Sequence, residues 1–388
     1  KLITIKGNNM KNVMKLALVL LTSLSLGFSA NAGDLSVTGT AKATYNIQSS
    51  DSVNAQNELG KGLGITNELN FVASGELDNG FTWAYSMELD PSATAAINDD
   101  TKMTLTTPYG TTGIFVSEGG LNKSLAFSPA AYAAGIDVGI GGVIDPADIA
   151  AFNNIQYHTP AGLLPFDTAI KVAYAPSAAT GQSASGNAAG TAKATANTYE
   201  DAMIGSADAA ADFSPTMVTG VEEFSLTTTP TDGLTVNASY ITMDHDSTAT
   251  DQSYEAGVLN AKYAYGPVTF GYGRTLVAPY VNSSTAVGVE RITYVENNDW
   301  GIGYAINDNL SVSYEDSKSE ANIKAKTAVN VTTKSKNSQE MTSIQAAYTM
   351  GGMTLALSRT ETDGDNYTKE ETSPVKAKET ILAVTMAF

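Results

Sequence analysis

Apolar and polar residues alternate one for one along many short stretches of this chain. In the first such stretch, Leu35 and Val37 fall on one side of an extended backbone, and Ser36 and Thr38 fall on the other. A period of two is typical of a β-strand with one apolar face and one polar face. The same pattern recurs in residues 65–77, 81–89, 234–243, 309–317 and 353–361.

The end of the chain shows this alternation without any polar tail. Leu382, Met386 and Phe388 share one face of an extended chain, and Ala383 and Thr385 share the other. The pattern predicts a last strand whose apolar face ends in an aromatic ring. A buried edge strand of a soluble sheet is the alternative interpretation.

Two kinds of connection separate the predicted strands. Seven are short and carry Gly, Asn or Pro, which tight hairpins require for their unusual backbone angles: 78–80, 108–110, 160–162, 231–233, 265–267, 307–309 and 350–352. They alternate with eight longer polar segments: 49–62, 91–99, 117–152, 176–220, 244–252, 276–288, 318–339 and 361–378. Seven turns and eight loops make fifteen connections, and therefore sixteen strands.

Short connections on one side and long ones on the other are typical of bacterial outer-membrane barrels, which have short periplasmic turns and long extracellular loops. A soluble β-sandwich has no reason to sort its loops by length. We therefore predict an all-β protein, a transmembrane antiparallel β-barrel of 16 strands. The apolar stripe ending at Phe388 then faces lipid, and the last strand pairs with the first so that no edge is left in hydrocarbon.

Residues 1–32 have the pattern of a secretory signal peptide preceded by a few upstream residues. Two lysines precede an apolar core at 16–28, and a small-residue cleavage site follows it. A span of this length is too short for a transmembrane helix, which needs about 20 residues. We expect translation to start at Met10, cleavage after Ala32, and one barrel domain over 33–388.

The composition excludes several classes of protein. The chain has 22 basic and 40 acidic residues, and residues 1–32 hold four of the lysines and no acid, so residues 33–388 carry (22 − 4) − 40 = −22. Nucleic-acid binding needs basic patches and is not expected. With no Cys and two His, we predict no metal site and no cofactor. No later stretch reaches 18 apolar residues, which excludes a helical inner-membrane protein.

Four segments of this pattern resemble the sixteen-stranded general porins of Gram-negative outer membranes. They are LSVTGTAKATYN at 35–46, NNIQYHTPAGLLPFDTAIKVAYAP at 153–176, DNLSVSYED at 308–316 and AVTMAF at 383–388. The resemblance implies an outer-membrane location, a homotrimer, and contact with lipid and lipopolysaccharide. It also implies that Phe388 ends the signal that the barrel-assembly machinery reads.

Sixteen strands enclose a lumen too wide for side chains to fill. In the porin family the third loop folds into this lumen and narrows it, and here the third loop is the Ala- and Gly-rich segment 117–152. A solvated surface loop is the alternative. Porins oppose loop acids with basic wall residues. The resemblance therefore implies a constriction formed by these acids and lumen-facing bases: Glu118, Asp137, Asp145, Asp148, Lys42, Lys171 and Arg291.

These features predict a passive water-filled channel for ions and small hydrophilic solutes. The excess of acids favours cations, because rings of Asp and Glu attract them. A sugar- or phosphate-selective channel and a closed structural or adhesive barrel remain alternatives. We do not predict an enzyme, since no G-x-S-x-G motif occurs and neither His158 nor His245 lies near a recognisable nucleophile. Acidic clusters at 243–246 and 363–366 are read as solvated loops, with divalent-cation binding as the alternative.

Overall fold

The computed structural model describes residues 34–50, 61–91, 96–125, 145–176, 218–245, 250–282, 290–328, 331–364 and 376–388. Within these ranges the chain forms eighteen strands. They are β1 (Asp34–Ser50), β2 (Lys61–Glu76), β3 (Thr82–Pro91), β4 (Ala96–Thr107), β5 (Gly110–Val116), β6 (Asn154–His158), β7 (Ala169–Ala175), β8 (Val218–Thr231), β9 (Leu234–His245), β10 (Thr250–Gln252), β11 (Glu255–Tyr265), β12 (Val268–Ala278), β13 (Val281–Asn282), β14 (Glu290–Ala305), β15 (Leu310–Ala328), β16 (Val331–Met350), β17 (Met353–Asp363) and β18 (Lys376–Ala387).

Sixteen of these strands form one closed antiparallel barrel. Each barrel strand pairs with the barrel strands next to it in the chain, and β1 also pairs with β18. The other two strands, β10 and β13, form a small separate sheet that links the two extracellular connections flanking β11 and β12. The predicted fold class, an all-β barrel of sixteen antiparallel strands, is confirmed. None of the helices among the described residues is long and apolar enough to cross a membrane.

The last residue of the chain completes the barrel closure. The Phe388 N–H donates to Gly39 O at 3.0 Å, and the Gly39 N–H donates to Phe388 O at 2.8 Å. The Phe388 ring lies over Gly39, where an added Cβ would approach a ring carbon to 2.7 Å. The ring is 69% exposed on the outside of the barrel. The glycine therefore allows the terminal aromatic residue to lie flat against the first strand.

Six of the seven predicted short connections are tight. For example, β8 and β9 are joined through Gly233, whose φ of +77° belongs to the left-handed region that favours glycine. The connection expected at 160–162 is longer, because β6 ends at His158 and β7 begins at Ala169. A 3-10 helix, Pro165–Asp167, occupies it. The neighbouring prolines explain the difference, since they cannot donate to the strand ladder that a two-residue hairpin would need.

The segment 318–339, expected to be a long loop, is instead the end of a tall β-hairpin. Strand β15 continues to Ala328 and β16 starts at Val331, with pairing that includes Ser319 with Gln339 and Lys324 with Lys334. The sequence interpretation was wrong here because it required an apolar face. Above the hydrocarbon layer a hairpin is hydrogen-bonded in the same way and can be polar on its outer face.

The outer surface of the barrel is apolar over its middle zone. Leu355, Leu357 and Leu382 are 42–48% exposed, and Trp300 and Ile302 are also exposed. Such a continuous band would be unfavourable in water and suits contact with hydrocarbon. The alternation predicted from the sequence therefore holds for the outer face.

The inner face departs from the expected pattern. Val221, Ile241 and Met243 on β8 and β9 occupy inward positions, yet each is at most 2% exposed and belongs to an apolar cluster. Leu121 and Ile149 of loop three (residues 117–152) belong to the same cluster. The inner face that the alternation predicts to be polar is therefore apolar in this part, because loop three brings its own apolar side chains against the wall.

Candidate functional site

The outgoing limb of loop three crosses the inside of the barrel. The Lys123 N–H donates to Ser239 Oγ at 3.1 Å, and the Asn260 amide donates to Lys123 O. Leu125 packs on β12, where a Cβ built on Gly273 would lie 2.8 Å from Leu125 Cβ. Because β12 is six strands around the barrel from β5, where the loop begins, the limb must pass through the lumen. The prediction that loop three folds inward is confirmed for its described residues.

The returning limb is tied to the same side of the wall. The Ala147 N–H donates to the Tyr254 hydroxyl at 2.6 Å. The Ile149 N–H donates to Glu223 Oε2 at 2.7 Å. Both acceptors are about 1–2% exposed, so these bonds lie away from water. They hold the loop against β8 and against Tyr254, the residue before β11, rather than leaving it in the middle of the lumen.

Asp148 joins the two limbs of loop three to each other. Its carboxylate accepts from the backbone N–H groups of Leu121 and Asn122 at 3.1 Å each, and from Ala150 at 2.9 Å. Three backbone donors on one carboxylate make a strong charge-assisted clamp. The sequence placed Asp148 among the acids of the constriction, and the structure adds this clamp to its surroundings.

The amides of β6 hold the base of the loop. Asn154 Nδ2 donates to the backbone oxygens of Glu118, Ile149 and Phe152 at 2.9–3.2 Å. Gln156 Nε2 donates to Gly119 O and to the Asn154 side chain. Since these residues point inward from the strand that follows the loop, the entry and exit of loop three are fixed to one place on the wall.

A group of basic residues lies in the lumen beside loop three. Lys102 on β4 pairs with Glu118 at 3.0 Å, and both side chains are partly exposed. Lys171 on β7 lies near Lys102 and near Lys123 of the loop, close enough for their charges to act on it. We call Lys102, Lys123 and Lys171 the lumen lysines. An anion entering the lumen would meet three positive charges here, only one of which has Glu118 as its partner.

Acids occupy inward positions on the other side of the barrel. On β18, Glu379 accepts from Asn46 at 2.5 Å and from Gln48 at 2.6 Å. Glu315 on β15 and Asp299 on β14 also face inward, and Glu315 acts electrostatically on Lys262 of β11. The register also places Glu68 on β2 and Glu88 on β3 at inward positions, so the inward acids are not confined to one side of the barrel.

The predicted constriction residues lie in several places. Lys42 and Lys171 are at inward positions of β1 and β7, and Glu118, Asp145 and Asp148 lie in loop three. Asp145 is exposed, with Asn297 of β14 as a neighbour at 3.4 Å. Lys42 lies on β1, three strands around the barrel from Lys102 on β4. Asp137 lies outside the described residues.

Arg291 was expected to face the lumen, and the backbone register does not agree with this. A β-bulge between Ile292 and Tyr294 shifts the alternation of β14 by one residue. Ile292 therefore pairs with Ile323 on the buried inner side, and Arg291 pairs with the exposed Lys324. This register places position 291 on the outer face. The Arg291 side chain lies outside the described residues.

Sequence reasoning missed several residues that position the site. Lys102 could have been found, because Met103 and Leu105 alternate with it and Met103 faces outward. Tyr254 and Glu223 could not, since their partners are backbone N–H groups over 70 residues away along the chain. A tertiary contact of this kind leaves no local pattern.

The surroundings of His158 do not resemble a hydrolase site. Its Nε2 is 2.8 Å from Gln156 Oε1, and its ring centroid is 6.1 Å from that of Phe115. A catalytic dyad would place the ring nitrogen beside a Ser, Thr or Cys nucleophile. The side chain of His245, and parts of both acidic clusters, lie outside the described residues. No group of three potential metal ligands occurs among the residues that the structure describes.

The closed barrel, its inward loop and its apolar outer band define a class of protein: sixteen-stranded barrels built to cross a membrane and enclose an aqueous lumen. No family model matches the chain, and no curated protein matches it in sequence. Solved structures are similar to it over 92–93% of its length and 100% of theirs.

Three of these similar structures have 9–12% sequence identity with this chain. One is a loop-deletion mutant of OmpT, an outer membrane protein of Vibrio cholerae, with 9% identity and a TM-score of 0.59. Another is an anion-selective porin from Comamonas acidovorans, with 12% identity and a TM-score of 0.56. The third is Salmonella typhi OmpF in complex with daunomycin, with 12% identity and a TM-score of 0.57. The chain thus has the fold of the sixteen-stranded porins.

Proposed function

We propose that this protein is a passive diffusion channel of the bacterial outer membrane. The observation that carries the proposal is the path of loop three, which enters a closed sixteen-stranded barrel and is bonded to the inner wall at Ser239, Glu223 and Asn260. A barrel of this size leaves a lumen that side chains alone do not fill. An inward loop narrows such a lumen and sets a size limit for solutes.

The same arrangement supports the proposed location, and a similar structure supports the proposed assembly state. The apolar outer band supports insertion into a bilayer, and export would proceed after cleavage behind Ala32. The exposed Phe388 ring on the outer face is the group that we propose the barrel-assembly machinery reads. A homotrimer is the proposed assembly, since one similar structure is described as a trimer form of its protein.

The proposed ion preference is cationic, on the basis of the net charge of (22 − 4) − 40 = −22 over residues 33–388 and the inward acids Glu315 and Glu379. Glu118, Asp145 and Asp148, with Asp137, are the proposed loop acids of the constriction. Lys42 and Lys171 are the proposed wall bases. The lumen lysines act against the preference, because they would retain anions near loop three.

This lysine group supports one specific alternative, a channel selective for phosphate or another small anion. Reversal potentials of single channels in a salt gradient separate the two proposals. A higher permeability for cations than for anions would support the cation-preferring diffusion channel, and a higher permeability for anions would support the anion-selective alternative. Liposome swelling with sugars of graded size adds the second measurement. Size-limited flux is expected, saturable flux would favour a specific channel, and no flux would favour a closed structural barrel.

A further inference from the structure

The inner wall of the barrel is unequally exposed around its circumference. None of the inward side chains that the structure describes on β1 to β4 is buried. On β16 to β18, by contrast, four inward polar side chains are only 0–3% exposed: Gln339, Ser343, Thr360 and Glu379. Beyond Glu118, the limbs of loop three are bonded to β8, β9 and β11. Water therefore adjoins the inner faces of β1 to β4, which we call the exposed wall.

Four charged side chains occupy neighbouring inward positions on the exposed wall: Lys42 on β1, Glu68 on β2, Glu88 on β3 and Lys102 on β4. The residue of β2 opposite Lys42 is Thr66, and the one opposite Glu88 is Asn70. Glu68 lies two residues from each of these, so it is a diagonal neighbour of both Lys42 and Glu88. Lys102 pairs with Ser86, two residues before Glu88. Because diagonal neighbours on a sheet lie about 7–8 Å apart, the two acids adjoin each other, with a lysine on either side.

The four charges lie in the middle and upper part of the membrane. Lys42 and Glu68 are 42 − 34 = 8 and 76 − 68 = 8 residues from the periplasmic ends of their strands, and Lys102 is 107 − 102 = 5 residues from that of β4. At about 3.4 Å per residue and a strand tilt of about 35–45°, they lie about 12–22 Å above the periplasmic rim of an apolar band about 25 Å tall. Glu118, near the start of loop three, contacts Lys102 at 3.0 Å. Loop three therefore enters the lumen at the level of these charges.

The described acids of loop three are occupied by other groups or lie elsewhere. Asp148 accepts from three backbone N–H groups of its own loop. Glu118 is paired with Lys102. Asp145 lies beside Asn297 of β14, which is not part of the exposed wall. The charges of Asp148 and Glu118 are thus compensated locally, and Asp145 is on another side of the lumen.

Glu68 and Glu88 have different surroundings from these loop acids. Glu68 is exposed, and its Oε2 accepts a long hydrogen bond of 3.4 Å from the Thr40 hydroxyl. Glu88 is partly exposed. With Glu118 included, the group of two lysines and three acids carries 2 − 3 = −1. Because exposed carboxylates in a pore favour cations, the exposed wall favours them at the level where loop three enters.

We propose that solutes pass along the exposed wall and that Glu68 and Glu88 set its preference for cations. The inference rests on the proposed function and names the residues that give the channel its selectivity. It differs from the arrangement that the porin resemblance implies, in which the wall supplies bases and loop three supplies the acids. Here the wall itself supplies the acids that face the permeating ion.

The first test measures reversal potentials of the folded channel in planar bilayers under a KCl gradient. The test variants are Glu68→Gln, Glu88→Gln and the double variant. Glu118→Gln represents the acids of loop three. Glu340→Gln is the matched control, because it removes the same charge from the outer face, where Glu340 pairs with Lys318. Heat-modifiable migration on gels verifies that each variant is folded.

The single variants should lower the cation-to-anion permeability ratio about fourfold each and the double variant about tenfold or more, since a unit charge roughly 10 Å away changes cation and anion populations about twofold in opposite directions. Glu118→Gln should have a smaller effect than Glu68→Gln, because Glu118 is paired with Lys102. Glu340→Gln should leave the ratio unchanged. Raising the salt from about 0.1 M to about 1 M should reduce all of these differences, because the Debye length falls from ~10 Å to ~3 Å.

The second test locates the path independently of charge. The chain has no Cys, so Glu68→Cys and Ser343→Cys each introduce a single thiol. A sulfonate-bearing methanethiosulfonate applied during recording should react quickly at position 68 and restore the cation preference by returning a negative charge. The trimethylammonium analogue should lower the preference further. Ser343 is fully buried on the inner wall of β16, so the thiol of Ser343→Cys should react slowly and change the current little.

Three outcomes would overturn the inference while leaving the channel function intact. One is an unchanged permeability ratio in the conducting double variant. Another is a larger shift in Glu118→Gln than in Glu68→Gln, which would assign selectivity to loop three. The third is equal reaction of the thiols at positions 68 and 343, which would show that the path is not confined to the exposed wall. Absence of conductance in the unmodified barrel would instead contradict the proposed function itself.

Discussion

The inner walls of two parts of the barrel share one alternation but differ in chemistry. On β8 and β9, the inward positions near loop three carry Val221, Ile241 and Met243. On β16 and β17, inward positions carry Ser343 and Thr360, whose hydroxyls lie 3.2 Å apart. The comparison teaches that alternation decides which side of the wall a residue faces. Whether an inward residue is apolar or polar depends on whether the apolar side chains of loop three or other polar groups lie next to it.

The largest effect is expected from breaking the clamp that holds loop three on the β8–β9 side. Asp148→Ala leaves three backbone N–H groups without their acceptor. We expect the free energy of unfolding in detergent to fall by about 2–4 kcal/mol, since each unpaired, partly buried donor costs about 1 kcal/mol or more. Single-channel current noise should also increase.

The matched control for the clamp is Asp145→Ala in the same loop. Asp145 is exposed, and its contact with Asn297 is long at 3.4 Å. We expect a loss of unfolding free energy below about 0.5 kcal/mol. Equal losses in the two variants, measured by urea titration, would show that Asp148 is no more important to the loop than an ordinary acidic residue.

The second effect tests the apolar layer itself. Ile241→Ala removes a side chain that is 2% exposed in the cluster with Leu121 and Ile149. A loss of about 2–4 kcal/mol is expected, because a cavity adds to the lost burial. On the opposite wall, Thr360→Val keeps the side-chain shape and should cost less than about 1.5 kcal/mol. A larger loss of stability in Thr360→Val than in Ile241→Ala would contradict the distinction between an apolar wall on β8 and β9 and a polar wall on β16 and β17.

A smaller effect is expected where loop three approaches β12. In Gly273→Leu, the added side chain would collide with Leu125, which lies 2.8 Å from an ideal Cβ position. We expect a destabilisation of about 1–3 kcal/mol from overpacking and a changed conductance as the limb moves. Gly257→Ala on β11 has only ordinary contacts, with Tyr240 at 3.8 Å, and should leave conductance unchanged. A normal conductance in Gly273→Leu would contradict the described path of the loop.

The smallest effect concerns charge alone. Lys102→Gln and Lys171→Gln should shift selectivity toward cations without a large change in stability, since both side chains are partly exposed to the lumen. A unit charge about 10 Å from the ion in water contributes ~0.4 kcal/mol, which is about twofold for a cation and about twofold in the opposite direction for an anion, so each substitution should change the permeability ratio about fourfold. Lys318→Gln, which lies outside the barrel, is the control. Reversal potentials provide the measurement, and an equal shift in the control would exclude a local lumen effect.

Much of the fold could be predicted from the sequence because strand alternation and turn residues are local signals. The strand number, the pairing of β1 with β18 and the side of the barrel that carries the short turns were all predicted from these signals. The site was less predictable. The inward position of Lys171 was found from its neighbours Ile170 and Val172, but a single bulge between Ile292 and Tyr294 places the backbone position of Arg291 on the other face. The tall hairpin of β15 and β16 was missed because a polar strand has no apolar period to detect.

The sequence by itself determined which stretches are strands, how many there are, and that the outer surface is apolar, since each of these depends on residues near one another in the chain. The tertiary structure decided where loop three lies, which part of the inner wall is dry and which bases meet in the lumen. Those properties depend on groups such as Glu223 and Ile149, or Lys102 and Lys171, that are distant in sequence. Only the closed barrel with its inward loop brings such groups together.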